Sequence, residues 1–210
     1  MAPEVCNGSN STSFKILKRT TMSLQQFNPR TMVLLLFILL VAALRFASFS
    51  NWGPLTVFTP VGAMALFGGA YFTGNVKPFA FPLLTLLISD LVLSYTILAP
   101  YRNGFLYSGW VWTYGAFALM TIAGKLIIKD VTVKNVAIAT VVSTLIHWLV
   151  SDIGGCIQEN TFSFSVYVSR LITAIPYEWR FFGGTAIYGA ILFGAFELLQ
   201  KKYTALRPAA

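Results

Sequence analysis

Acidic side chains are scarce in this chain, and histidine and cysteine scarcer still: seven Asp and Glu, one His and two Cys in 210 residues. A single histidine, His147, excludes a multi-histidine metal site. Cys6 and Cys156 lie far apart and neither belongs to a CxxC pair, which argues against a disulfide framework or a zinc site. The chain has no GxxxxGK[ST] loop, no HExxH and no GxSxG, so nothing in it points to an ATPase or a hydrolase, and no cofactor is expected. Asp90 and Asp152 could serve as an acid/base pair, but no nucleophile accompanies them. An enzyme is therefore the weakest of the functional readings.

What fills the chain instead is apolar. Hydrophobic residues make up 56% and charged residues 10%, with a mean hydropathy of +0.70. From Thr31 to Lys201 apolar stretches alternate with short polar breaks. A bilayer core about 30 Å thick needs roughly 20 helical residues. The sequence reads as an all-α polytopic membrane protein with the lipid bilayer as its first partner. The spacing predicts six transmembrane helices, at 32–48, 58–74, 79–98, 107–128, 135–151 and 180–200. Phe162 to Ile175 is too short and mixed to cross, and reads as a short helix at the outer surface. Residues 1–30, rich in Ser, Thr and Asn, read as a disordered leader, with Met22 as an alternative start. Residues 31–203 form the transmembrane domain and 204–210 a short tail.

The net charge of +8 would suggest nucleic acid in a soluble protein. Here the basic residues flank apolar runs, so they report orientation, and no nucleic-acid partner is expected. With both termini cytoplasmic, eleven Lys and Arg fall inside, among them Arg30, Lys77, Lys125, Lys201 and Lys202. Four fall outside: Arg45, Arg102, Arg170 and Arg180.

Charges within spans carry the functional argument. Asp90 lies in the third span, and a carboxylate there must face the bundle interior, pair with a cation or be protonated. Arg45, near the outer end of the first span, is within reach. Either the two line a polar cavity open to the outside, or they form a structural ion pair that fixes helix packing. Thr140, Ser143, Thr144, His147 and Ser151 share one face of the fifth span. They suit hydrogen bonding between helices, or a pocket with His147 and Trp148 near its floor and Asp152 at its rim. Arg45, Asp90, His147 and Asp152 are thus the candidate substrate-binding residues, under a cover of loops 49–57, 99–106 and 152–178. Glu197, four residues before Lys201, reads as a structural pair with it. Ala186, Ala190 and Gly194, like Ala65 and Gly69, have the small-xxx-small spacing of close helix packing.

Several stretches resemble a known group. Phe58-Thr-Pro-Val-Gly-Ala-Met-Ala-Leu-Phe-Gly-Gly-Ala-Tyr-Phe72, Leu86 to Leu93, Tyr114 to Ala118, Ala174-Ile-Pro176 and Leu192-Phe-Gly194 look like the signature of uncharacterised bacterial six-span proteins held to be transporters. That group is similar in layout to the substrate-binding S components of energy-coupling-factor (ECF) vitamin transporters. The resemblance implies a small-molecule substrate captured near the outer face, a transmembrane coupling protein driven by two ATPases, and the bacterial plasma membrane. It departs at the AxxxA docking motif: Ala43 and Ala47 lie toward the outer end of the first span here, not the cytoplasmic part. The expectation is a substrate-capture subunit for uptake, with a non-transport assembly or structural subunit as the alternative.

Overall fold

The structure, a computed structural model, describes residues 29–47, 59–97, 99–160 and 162–207. The leader and the 49–57 loop, apart from the start of the first helix, lie outside the described residues. Six α-helices account for most of the rest: α1 (Pro29–Ala47), α2 (Val61–Tyr71), α3 (Lys77–Tyr95), α4 (Trp110–Ile127), α5 (Val133–Gln158) and α6 (Phe164–Lys202). A two-stranded hairpin, β1 (Arg102–Asn103) and β2 (Leu106–Tyr107), precedes α4. Gly104, at φ 77°, opens its two-residue turn in the left-handed region that a side chain disfavours.

Among the described residues four helices are long and apolar enough to cross a membrane: α3, α4, α5 and α6. This is an all-helical membrane protein. α1 is as long as α3 and equally apolar, but its last two side chains lie outside the described residues.

The bounds of the predicted second span are corrected at α2. The apolar run 58–74 supplies a helix of only 11 residues, about 16 Å long and half of what a bilayer core needs. α2 is apolar all round because protein, not lipid, surrounds it: ten of its eleven residues are buried. It lies against α3, α4 and α6. Its crossing with α4 depends on two glycines facing each other's backbones. A Cβ at Gly69 would sit 2.2 Å from the Thr121 carbonyl oxygen, and one at Gly124 would sit 2.7 Å from that of Leu66. The spacing Ala65–Gly69 therefore serves packing inside the bundle. The aromatic centre of the core follows from this position. Phe67 stacks on Phe37 of α1 at 5.6 Å and meets Phe193 and Phe196 of α6 edge-on.

α6 is the second correction. Phe162 to Ile175 is not a separate surface helix, and 152–178 is not a covering loop. Ser163 caps α6 by accepting a hydrogen bond from the Val166 N–H, and 39 residues run on without a break, with Pro176 inside. The polar character of 163–173 disguised a helix that packs on the end of α5. Trp148 Nε1 donates to the Leu171 carbonyl and Tyr167 Oη to that of Leu149, each at 3.1 Å. At the far end, Thr204–Leu206 form a 3-10 turn that tucks Leu206 into the bundle.

The basic residues assigned to one side gather at one end of the bundle. Arg30 donates to the Tyr71 carbonyl, and Lys125 Nζ to that of Gly74. Glu197 does not pair with Lys201 there. Its Oε1 accepts from Tyr71 Oη at 2.6 Å and from Gln200 Nε2 at 3.1 Å. The i, i+4 rule of isolated helices gives way because α2 brings a buried phenol to the carboxylate.

Candidate functional site

At the level of the middle of α3 to α6, toward the hairpin, lies a cavity of about 350 Å3. Its polar wall comes from five elements: Arg45 of α1, Tyr107 of β2, Thr113 of α4, His147 of α5, and Glu178 and Arg180 of α6. Thr59 and Val61, at the start of α2, also line it. Non-helical backbone at membrane depth is tolerated where it is buried in protein or lines a cavity, and the short α2 begins at such a place. The amide end of α2 carries no side-chain cap.

Arg45 reaches the cavity from a fixed mount. Its Nη2 lies 2.5 Å from Asp90 Oδ1, and its Nη1 donates to Ser89 Oγ at 2.6 Å. Ser89 Oγ donates in turn to the Leu86 carbonyl at 2.8 Å. Tyr114 of α4 donates to Asp90 Oδ2 at 2.8 Å. Asp90 is thereby held by α1 and α4 while it sits on α3 itself, 1% exposed, and the Arg45 charge offsets what burying a carboxylate costs. Asp90 stands behind Arg45 rather than on the cavity wall. Tyr107 is pushed up to about 12 from a usual 10.0, mainly by burial and next by the negative charge of Asp90. It faces the cavity as a neutral phenol at physiological pH.

The opposite wall is a second acid–base pair. His147 Nδ1 lies 2.9 Å from Glu178 Oε1, and the imidazole stacks on Phe181 at 4.1 Å and 13°. Glu178 is 8% exposed, and its Oε2 is buried with no hydrogen-bond partner. Among the described residues Arg180 carries no ion pair or hydrogen bond, so its cation is available to a guest.

Asp152 does not join them. It lies one turn beyond His147 on α5 and does not line the cavity. Its Oδ2 is buried without a hydrogen bond, within electrostatic reach of Glu178 and His147 first and then of Arg170, which itself pairs with Glu159. The polar face of α5 does not bond between helices either. Thr140 donates to the Val136 carbonyl, Ser143 and Thr144 to that of Thr140, and Ser151 to that of His147. Each hydroxyl is satisfied by its own helix, which leaves His147 as the member of that face that reaches another helix. Trp148 turns away from the cavity, toward a groove between α5 and α6.

Sequence reasoning missed Glu178, Tyr107, Tyr114 and Arg180. Glu178 falls at the end of the predicted 152–178 loop, two residues before the predicted sixth span. Reading Tyr177-Glu178-Trp179-Arg180-Phe181 as helical would have set Tyr177, Arg180 and Phe181 on one face, with Glu178 beside it.

Residues 25–206 match the profile of a family of unknown function, DUF6580. The chain belongs to DUF6580. Neither a curated protein nor a solved structure matches it. The match takes in every residue of the cavity wall, so in this DUF6580 protein the site lies wholly within the family's own stretch of chain. Among the described residues no cluster of His, Cys, Asp or Glu is suited to a metal ion.

Proposed function

We propose that this DUF6580 protein captures a small molecule from the outer side of the membrane and serves its uptake, as an S-component-like subunit. In this reading the chain passes the bilayer six times, with the α2 pass completed by non-helical chain, and both ends are cytoplasmic. The membrane is the bacterial plasma membrane, and a separate coupling protein with ATPases supplies the energy. The observation that carries the proposal is the cavity itself: about 350 Å3, walled by two arginines, a histidine–glutamate pair and a neutral tyrosine over apolar residues such as Phe117 and Phe181. That size and mixture suit a small-molecule site, in which a few placed polar groups orient a guest within apolar walls. Intramembrane charges elsewhere mark substrate paths, and half-helices that start beside a cavity are a feature of transporter sites.

The test is native mass spectrometry of protein gently extracted from its own membrane. Wild type should release a small molecule that Arg180→Ala and Tyr107→Phe/Glu178→Gln no longer retain. Equal retention by all three would remove the cavity from the account.

One observation favours the alternative, an assembly subunit of a larger complex. On α6 the small-residue row Ala186, Ala190 and Gly194 turns outward, with Ala190 and Gly194 exposed and nothing within 4 Å of a Cβ at Gly194. Disulfide trapping from Gly194→Cys that yields a single partner, with no loss on altering the cavity, would favour it.

A further inference from the structure

Glu178 lines two cavities, not one. Behind the polar cavity lies a groove of about 400 Å3 between α5 and α6, walled by Val141, Leu145, Trp148, Ile175, Trp179 and Phe182, and almost wholly apolar. Glu178 is the one residue common to both walls. Neighbours in sequence divide between them: His147 lines the polar cavity and Trp148 the groove, while Arg180 and Phe181 face the first and Trp179 and Phe182 the second. The groove is on the side of the bundle that meets lipid. Trp179 is 67% exposed and Val141 48%.

A carboxylate at the junction of an oily groove and a polar chamber is costly unless each oxygen has a partner. Oε1 has His147. Oε2 is buried and has none. A hydrogen-bond donor brought to Oε2 would complete the set, and because Glu178 stands on both walls, a guest that supplies it has the polar cavity on one side and the groove on the other. Each space falls within the range of small-molecule sites, and together they fit a guest with two unlike ends.

We infer that the molecule taken by this site is a single-chain amphiphile: a compact head bearing a hydroxyl or similar donor to Glu178 Oε2, and an apolar part lying in the α5–α6 groove. This rests on the capture reading and deepens it. It also assigns the route, which runs sideways from the outer leaflet between α5 and α6.

The test uses the full chain in nanodiscs of ordinary phosphatidylcholine, titrated with 1-(9,10-dibromostearoyl)glycerol, whose bromines quench nearby tryptophan. Trp148 and Trp179 report on the groove. The expected result is saturable quenching that is lost in Trp148→Phe/Trp179→Phe, is blocked in Val141→Phe, and shifts to about tenfold higher probe or more in Glu178→Gln. Val141 is half-exposed on α5, so its substitution fills the groove without disturbing the core. Quenching that rises linearly and equally in wild type and Val141→Phe is bulk lipid contact and overturns the inference. So does a saturable response indifferent to Glu178→Gln. If the probe fails to saturate while native mass spectrometry finds a hydrophilic molecule retained through Arg180, the amphiphile is wrong and capture stands. If no molecule is retained and the probe does not saturate, both fall.

Discussion

Arg45 and Asp90 meet at 2.5 Å across the α1–α3 interface, the acid 1% exposed and the base 14%. Tyr114 and Ser89 complete the arrangement, so neither charge can be removed without stranding the other. Asp90→Asn should cost about 3–5 kcal/mol in detergent, because Arg45 is left half-compensated at depth. Arg45→Gln/Asp90→Asn should recover part of that loss. Thermal unfolding of the four forms checks it, and effects that simply add would mean no coupling between the two.

The α2–α4 crossing makes a contrast between glycines. Gly69→Ala and Gly124→Ala put a methyl group into backbone and should each destabilise by about 1–3 kcal/mol. Gly194→Ala meets nothing within 4 Å and should be neutral, or stabilising by about 0.5–1 kcal/mol through helix propensity. A Gly69→Ala protein as stable as wild type would show that the two backbones are not in contact.

Much of the architecture could be read from composition and spacing. The helical membrane class, the ranges of α3 and α4 and the start of α5 follow from apolar runs bounded by polar breaks, while α5 runs on to Gln158, seven residues past its predicted end. Two features could not be read, for physical reasons. Hydropathy reports that a run avoids water, not whether lipid or protein receives it, so α2 and a true span look alike until Gly69 and Gly124 are seen against their partners. Pro176 and the polar residues before it look like a helix boundary, yet bonds to α5 hold that stretch helical. Misplacing that boundary hid Glu178, whereas Arg45, Asp90 and His147 stood out because a charged or titratable group inside a span is expensive wherever it points.

Orientation can be settled by labelling. In a chain with Cys6→Ser and Cys156→Ala, single cysteines at Asn103 in the hairpin and at Glu159 after α5 should react with an impermeant maleimide added to intact cells. One at Asp130, between α4 and α5, should not. Reaction at 130 alone would invert the bundle and turn the cavity toward the cytoplasm.

Tyr107 gives a pH prediction. Its folded-state pKa, about 12, lies above the usual phenol value of 10.0, so the folded protein holds this proton more tightly than the unfolded chain. Its contribution to stability is complete below pH 10 and is lost as pH rises through 12. Melting temperature should fall over that interval in wild type, and less steeply in Tyr107→Phe. Parallel curves would mean that the phenol is not buried beside Asp90.

Pro176 has no N–H to give to the Ile172 carbonyl, so α6 lacks one rung of its ladder two residues before Glu178. Glu178 and Phe181, just after the gap, still hold His147 of α5, but farther from it the helix has different neighbours on the two sides. Before the gap it is tied to α5 through Trp148, Tyr167 and the Arg170–Glu159 pair. After it, Phe193, Phe196 and Glu197 are tied to α2. Any bending of α6 at this missing rung would therefore also change the distance between the two walls of the cavity. The softest joint in the longest helix is where Tyr177, Glu178 and Arg180 are mounted, and a small change of angle there moves all three against Arg45 together.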